Sequence, residues 1–220
     1  MPETDESIPE SSVTEMRGIV LRIPGEHFFC ETIDVPRNLD PEAVSAFAEQ
    51  ALFEEGLSPF PLEQEAWGYY ASLEHGRILL FATSYAKLRQ DGWQNLEVFR
   101  RVFPSFISFL GKEYDRPTIC LLRYEETLTG LSYEEECPVP AQVFSLPLTE
   151  EELQENRCDE TRGKLLSLFD LDRYEIEPEI LLAGDVERSN DGVFNFEHHA
   201  ADSDTDLDET PHETASFDAN

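Results

Sequence analysis

Along this chain the spacing of apolar residues switches between a period of two and a period of 3.6 in a fixed order, and that order limits the fold more than any single motif. In MRGIVLRIP, Ile19, Leu21 and Ile23 alternate with Val20 and Arg22, as a strand does. HFFCETIDVP, residues 27–36, is a second strand-like run, and the short turn at Gly25 makes the pair a predicted hairpin. A helix follows over residues 41–55: Asp40 caps it, Pro41 occupies the first helical position, Val44, Phe47, Ala48, Ala51 and Leu52 share a face, and Gly56 stops it. WGYYASL and GRILLFAT are strands around the turn at residues 74–77. Helical spacing returns over residues 84–103, capped by Ser84 and divided at Gly92, with a short helix or turn after Pro104. PTICLLRYEETLTGLSYEEE reads as a further hairpin turning at Glu125 and Glu126, and Thr149 with Glu152 forms a capping box for a helix running to about Phe169. PEILLAGDVE supplies a last strand. Such an order of paired strands and helices predicts an α+β fold, mainly antiparallel, with helices packed on one face.

The ends differ in kind. Residues 1–15 hold almost no apolar side chains, and residues 189–220 lose hydrophobic periodicity in an acidic, low-complexity tail; both are expected to be disordered. The ordered part is then 16–188, divisible into subdomains 16–111 and 112–188. Met16 stands directly before the first strand, so the start may be read at Met1 or at Met16.

Charge excludes several function classes. Sixteen Lys and Arg against 47 Asp and Glu give a formal net charge of −31 over 220 residues. Nucleic-acid binding needs a cationic face to release counterions, and an anionic membrane surface would repel this chain, so a basic protein is the natural complement. No apolar run is long enough for a transmembrane helix, and the acidic N-terminus is the reverse of a signal peptide. The cysteines, Cys30, Cys120, Cys137 and Cys158, are too scattered for a metal or disulfide pattern, which favours a reducing, cytoplasmic setting.

Motifs for chemistry are sparse. Neither GxxxxGK[ST] nor GxGxxG occurs, and IPGEHFF is a poor phosphate cradle, so no nucleotide cofactor is expected. His198 and His199 are adjacent and diverge on any regular element. Asp202, Asp204, Asp206 and Glu213 imitate half of a calcium loop, but Leu207 replaces its glycine and Pro211 interrupts it, so no metal site is expected. No GxSxG occurs, Cys30 and Cys120 sit in apolar strands, and His27 and His75 fall near turns. Asp170, Asp172, Glu134, Glu135 and Glu136 read as solvated surface in so acidic a chain. No catalytic residue is therefore assigned. The aromatic residues Trp67, Tyr69 and Tyr70 remain: Trp67 and Tyr69 share one face of a strand and Tyr70 takes the other. They read either as core, the favoured reading for Trp67, or as an interface patch.

Between the predicted helix at 41–55 and the aromatic strand stands PFPLEQ. Pro59 and Pro61 restrict Phe60 to extended geometry, so Phe60 and Leu62 can fold back on the preceding helix while Glu63 and Gln64 lead on. Pro59, Phe60, Pro61, Leu62 and Glu63, with Arg77 to Ala82 and Leu88 behind them, resemble the cytoplasmic actin-like domain of type II secretion platform L proteins and the related pilus-assembly M proteins. The resemblance spans residues 16–150, best over 41–110. It implies an actin-like, ribonuclease-H-like architecture and a non-catalytic scaffold that binds other assembly proteins at the cytoplasmic face of an inner membrane. The M proteins bind nucleotide through a phosphate motif that has no match here. The L proteins continue into a transmembrane helix, whose place the acidic tail takes, so this chain is expected to reach the membrane through its partners.

Three functional readings follow. The first is a scaffold with Phe60, Trp67 and Tyr70 as candidate partner contacts. The second is an enzyme built from dispersed carboxylates and histidines. The third is an acidic regulatory module that engages a basic protein through residues 189–220.

Overall fold

The computed structural model describes residues 20–60, 65–96, 99, 101–183 and 194–198. The N-terminal arm, Pro61 to Gln64, and the calcium-loop imitation lie outside the described residues. The chain starts with β1 (Val20–Ile23) and β2 (Phe29–Asp34), which do not form the expected hairpin. β1 instead pairs in parallel with a later strand, Val20 opposite Arg101, and β2 pairs antiparallel with residues 77–82. The physical reason lies at Gly25. It is no turn glycine; it opens a 3₁₀ turn in which the Phe28 N–H donates to the Gly25 carbonyl at 3.0 Å. A Cβ there would overlap Ser145 Oγ and stand 2.9 Å from Thr129 Oγ1, so the glycine permits a close approach of this segment to distant strands.

Asp40 caps the next segment as expected, accepting from the Glu42 N–H at 3.0 Å with Pro41 behind it. The helical turn tightens at Pro41–Ala43, becomes α1 (Val44–Glu49), and widens into a π-turn at Gln50–Glu54. Gly56, at φ 72°, follows it. β3 (Glu65–Ser72) and β4 (Arg77–Ser84) form the predicted hairpin in register, Ala66 opposite Thr83 and Ser72 opposite Arg77. Alternation then separates two faces. Trp67, Tyr69, Ile78, Leu80 and Ala82 meet α1 through Val44 and Ala48 and the π-turn through Leu52, whereas Ala66, Tyr70, Leu79 and Phe81 face the other way into a second cluster.

Ser84 caps α2 (Tyr85–Gln90), which ends where Gly92 turns left-handed at φ 97°. The helix expected to continue to residue 103 does not; β5 (Arg101–Pro104) is the strand that pairs with β1, and it buries Val102 completely. A 3₁₀ turn, Ser105–Phe109, follows. β6 (Thr118–Tyr124) and β7 (Thr127–Tyr133) make the second predicted hairpin, with Glu125 at φ 51° in its turn. β8 (Gln142–Pro147), unforeseen in sequence, then pairs with β7. Its flanking prolines disguise it, and they are tolerated because β8 is an edge strand. The single helix expected to reach Phe169 is two, α3 (Glu150–Glu155) and α4 (Asp159–Leu166), separated by Asn156 in the left-handed region at φ 52°. The capping box forms as read, Thr149 and Glu152 each satisfying the other's backbone.

β9 (Glu179–Ala183) returns alongside β6 in parallel, Ile119 opposite Ile180 and Leu121 opposite Leu182. β10 (Phe194–His198), inside the stretch expected to be structureless, adds antiparallel to β3, Phe196 opposite Gly68. The sheet orders are β10-β3-β4-β2 and β8-β7-β6-β9, with β1-β5 apart. The fold is thus α+β with mixed sheets. Tyr70, Leu79 and Phe81 from one sheet and Cys120, Leu122, Leu131 and Tyr133 from the other enclose one apolar cluster with Val102 and Phe106. α2 adds Tyr85 and Leu88 to that shared cluster, while α1 covers the opposite face of the first sheet and α4 that of the second through Leu165.

Candidate functional site

The sequence-derived contact residues do not make a surface. Trp67 is 0 % exposed and Tyr70 is 7 % exposed, and they point into different clusters on opposite faces of β3. Both are therefore core side chains in this fold, a consequence of covering both faces of the β3–β4 hairpin. Phe60 is half-buried and packs against the Trp67 cluster, its backbone N–H donating to Ser58 Oγ at 3.2 Å.

The histidines are held in local bonds. His27 Nδ1 lies 3.1 Å from Asp91 Oδ2, and Trp93 Nε1 donates to its Nε2 at 3.4 Å. His75 Nδ1 pairs with Ser72 Oγ at 2.8 Å. Among the cysteines, burial pushes the half-buried Cys30 thiol up, the charge of Glu31 adding to it, which disfavours the thiolate. Tyr114 Oη bonds Cys120 Sγ at 3.1 Å, and burial with that bond raises the phenol as well. Among the described residues no group of His, Cys, Asp and Glu could hold a metal ion.

Among the described residues, one concavity lies between the edge strands β2 and β8 and another beside β9. The first, about 290 Å³, is lined by Cys30, Thr32, Gln142 and Phe144 with Arg77 and Arg173. Its charges are spent internally: Arg77 Nη2 donates to Glu134 Oε2 at 2.6 Å and Arg173 Nη2 to Glu134 Oε1 at 2.8 Å. Thr32 Oγ1 donates to the Pro140 carbonyl at 2.7 Å. Glu31 and Asp34 also line the cleft, a polar seam in which two guanidiniums share the Glu134 carboxylate.

The second concavity, about 530 Å³, runs beside β9 and is bounded by Gly111, Glu113, Tyr114, Cys120, Leu181 and Ala183. β9 is anchored at its start, where the Glu179 N–H donates to the Pro117 carbonyl at 2.9 Å and Arg116 pairs with the Glu179 carboxylate. Beyond that anchor it is open. Among the described residues no strand pairs with its outer edge. α4 packs over β7 and β8, one and two strands beyond β6, and leaves β9 uncovered. Ile180 and Leu182 are consequently 50 % and 61 % exposed, although their neighbours Ile119 and Leu121 are each 1 % exposed beneath the helical layer. Ile176, in the approach to β9, is 61 % exposed too. Sequence reading places β9 but not its exposure; the signal available is the acid-flanked run EIEPEILLA, in which apolar residues stand beside Glu175, Glu177 and Glu179. No helix among the described residues is long and apolar enough to cross a membrane.

No family model matches the sequence, and no curated protein matches it. Among solved structures the chain is similar to a protein of unknown function with an actin-like ATPase fold from Bacteroides thetaiotaomicron, at 12 % identity and a TM-score of 0.39 over 77 % of this chain and 60 % of that one. It is similar to the cytoplasmic domain of EpsL, an inner-membrane component of the type II secretion system of Vibrio cholerae, at 14 % identity and a TM-score of 0.41, covering 78 % of this chain and 67 % of that one. It is also similar to a chain of the PilM–PilN type IV pilus biogenesis complex, at 19 % identity and a TM-score of 0.39, covering 69 % of this chain and 48 % of that one. These last two are of the kinds that Pro59 to Glu63 resemble, and the chain spans between 48 and 67 % of the three structures' lengths.

Proposed function

We propose that this protein is a non-catalytic interaction module that docks another protein at the open edge of β9. The observation that carries the reading is the exposure of Ile180 and Leu182 on a strand whose outer edge lies free among the described residues. Exposed edges with apolar side chains are ordinarily blunted by charge, by proline or by a covering element, because they template association; here the apolar pair stands at the margin of a groove. A place in a secretion or pilus assembly platform, at the cytoplasmic face of an inner membrane, belongs to the same reading through the resemblance at residues 59–63.

The test is site-specific photocrosslinking in the native host. A benzophenone side chain at position 182 is expected to trap one dominant protein adduct, identifiable by mass spectrometry, while the same group at exposed position 55 traps none. Equal adduct patterns at the two positions, or no adduct at position 182, would overturn the docking role. An assembly-platform component as the adduct would place the module in such a machine.

A further inference from the structure

Resting on that docking reading, we propose that the occupant of the β9 edge is an extended, lysine- or arginine-rich segment of a partner protein, added as one further strand beside β9. Three features select this occupant. Among the described residues the outer edge of β9 has no strand partner, so an extended chain can gain main-chain hydrogen bonds there whatever its sequence. The surroundings dictate alternation: one set of side chains would enter the groove against Tyr114, Cys120 and Leu181, and the other would lie across Ile180 and Leu182 on the opposite face. The set that enters the groove must be apolar, whereas the other set, at the solvent-exposed margin, can be lysines whose aliphatic stems lie across Ile180 and Leu182.

Charge supplies the third feature. Glu113 and Asp115 are exposed on the segment bordering the groove, and Glu175 and Glu177 are exposed on the approach to β9. Arg116 is already paired with Glu179, and the Lys112 ammonium lies over the Phe109 ring at 4.8 Å. The ring contact leaves the Lys112 charge in place, but the exposed carboxylates of Glu113, Asp115, Glu175 and Glu177 outweigh it, so the rim is net negative toward an incoming chain. A second copy of this protein, itself carrying a net charge of −31, would bring like charge to that rim. A basic strand meets it with complementary charge and should associate faster at low salt.

The experiment uses the full chain and an array of acetylated ten-residue peptides. Valine, isoleucine or leucine alternates with lysine, with glutamate or with serine, and each lysine peptide has a counterpart N-methylated at alternate amides along one edge. Binding is read by fluorescence anisotropy at low and moderate salt. Lysine peptides should bind at least tenfold more tightly than glutamate peptides and lose about tenfold between the two salt conditions. N-methylation should abolish binding, because it removes strand pairing and keeps the side chains. Leu182→Lys, an exposed edge position that should leave the circular dichroism spectrum unchanged, should weaken binding at least tenfold. Equal binding of glutamate peptides overturns the basic occupant, and unimpaired binding of N-methylated peptides overturns strand addition. No binding by any peptide, together with a specific adduct at position 182, sinks this inference and leaves the docking role standing.

Discussion

Replacing Gly25 with alanine tests the feature that most separates this fold from a plain succession of hairpins. At a hairpin turn, alanine would be penalised through backbone strain; here it is penalised through collision. The added methyl would overlap Ser145 Oγ, stand 2.9 Å from Thr129 Oγ1 and 3.2 Å from Phe106 Cδ1. Thr129 and Ser145 hydroxyls are bonded to one another at 2.8 Å, so neither can retreat without breaking that bond. Inserting a methyl into packing of this kind costs about 1–3 kcal/mol, and a broken hydroxyl pair adds about 1 kcal/mol. At about 2–4 °C per kcal/mol for a domain of this size, Gly25→Ala should lower Tm by roughly 4–15 °C. Calorimetry with a urea titration is the assay. Gly92→Ala is the control: Gly92 has open space around it and φ 97°, so its cost is conformational, about 1–2 kcal/mol. The decisive comparison is the double variant Gly25→Ala with Ser145→Ala. Removing the Ser145 hydroxyl makes room, so the two effects should be less than additive by about 1 kcal/mol. Strict additivity, or a Gly25→Ala loss below about 0.5 kcal/mol, would refute the close approach of residues 25–27 to β7 and β8.

Two further outcomes can be measured. Glu152, 1 % exposed, has its carboxyl pushed up by burial but held down more strongly by hydrogen bonds from Thr161 and Thr149, to about 2. Its folded pKa lies below the ordinary 4.5, so its contribution to stability is present above about pH 4.5 and is lost as pH falls toward 2. Glu152→Gln should therefore flatten the acid limb of a stability–pH curve between those values, and an unchanged limb would contradict the bonding of α3 to α4 through this carboxylate. For the aromatic residues once read as an interface, Trp67→Ala should cost about 3–5 kcal/mol as a fully buried ring, and Phe60→Ala about half as much as a half-buried one, by chemical denaturation. Losses near zero at Trp67 would mean that the ring is not in the core.

Much of the local structure was legible in the sequence. Asp40 with Pro41, Ser84, and the Thr149–Glu152 box each announce a helix start through a side chain that satisfies its own backbone, and all bond as read. The hairpins β3–β4 and β6–β7 were legible because two apolar runs flank a short polar turn. Failures cluster where the partner is far away. Residues 101–104 have helical spacing yet form a strand, because β1 lies waiting some eighty positions earlier in the sequence. β8 is hidden by Pro140 and Pro147, which an edge position tolerates. One helix became two because Asn156 adopts a left-handed turn whose N–H groups close back on α3. Trp67 and Tyr70 look alike as exposed or buried aromatics until both faces of β3 are seen to be covered.

The sequence by itself determined which segments are strands and helices near their caps and turns, the strong negative charge, and the lack of a phosphate-binding glycine loop. These depend on neighbours within a few positions or on composition alone. Only the tertiary structure decided that the sheets face one another across a shared core, that the ion pairs of Arg77 and Arg173 with Glu134 close one end, and that β9 has no strand on its outer edge among the described residues. Exposure is a property of what packs against a strand. Ile180 and Leu182 have the same alternation as Ile119 and Leu121, and only the position of α4 over β7 and β8 makes one pair core and the other surface.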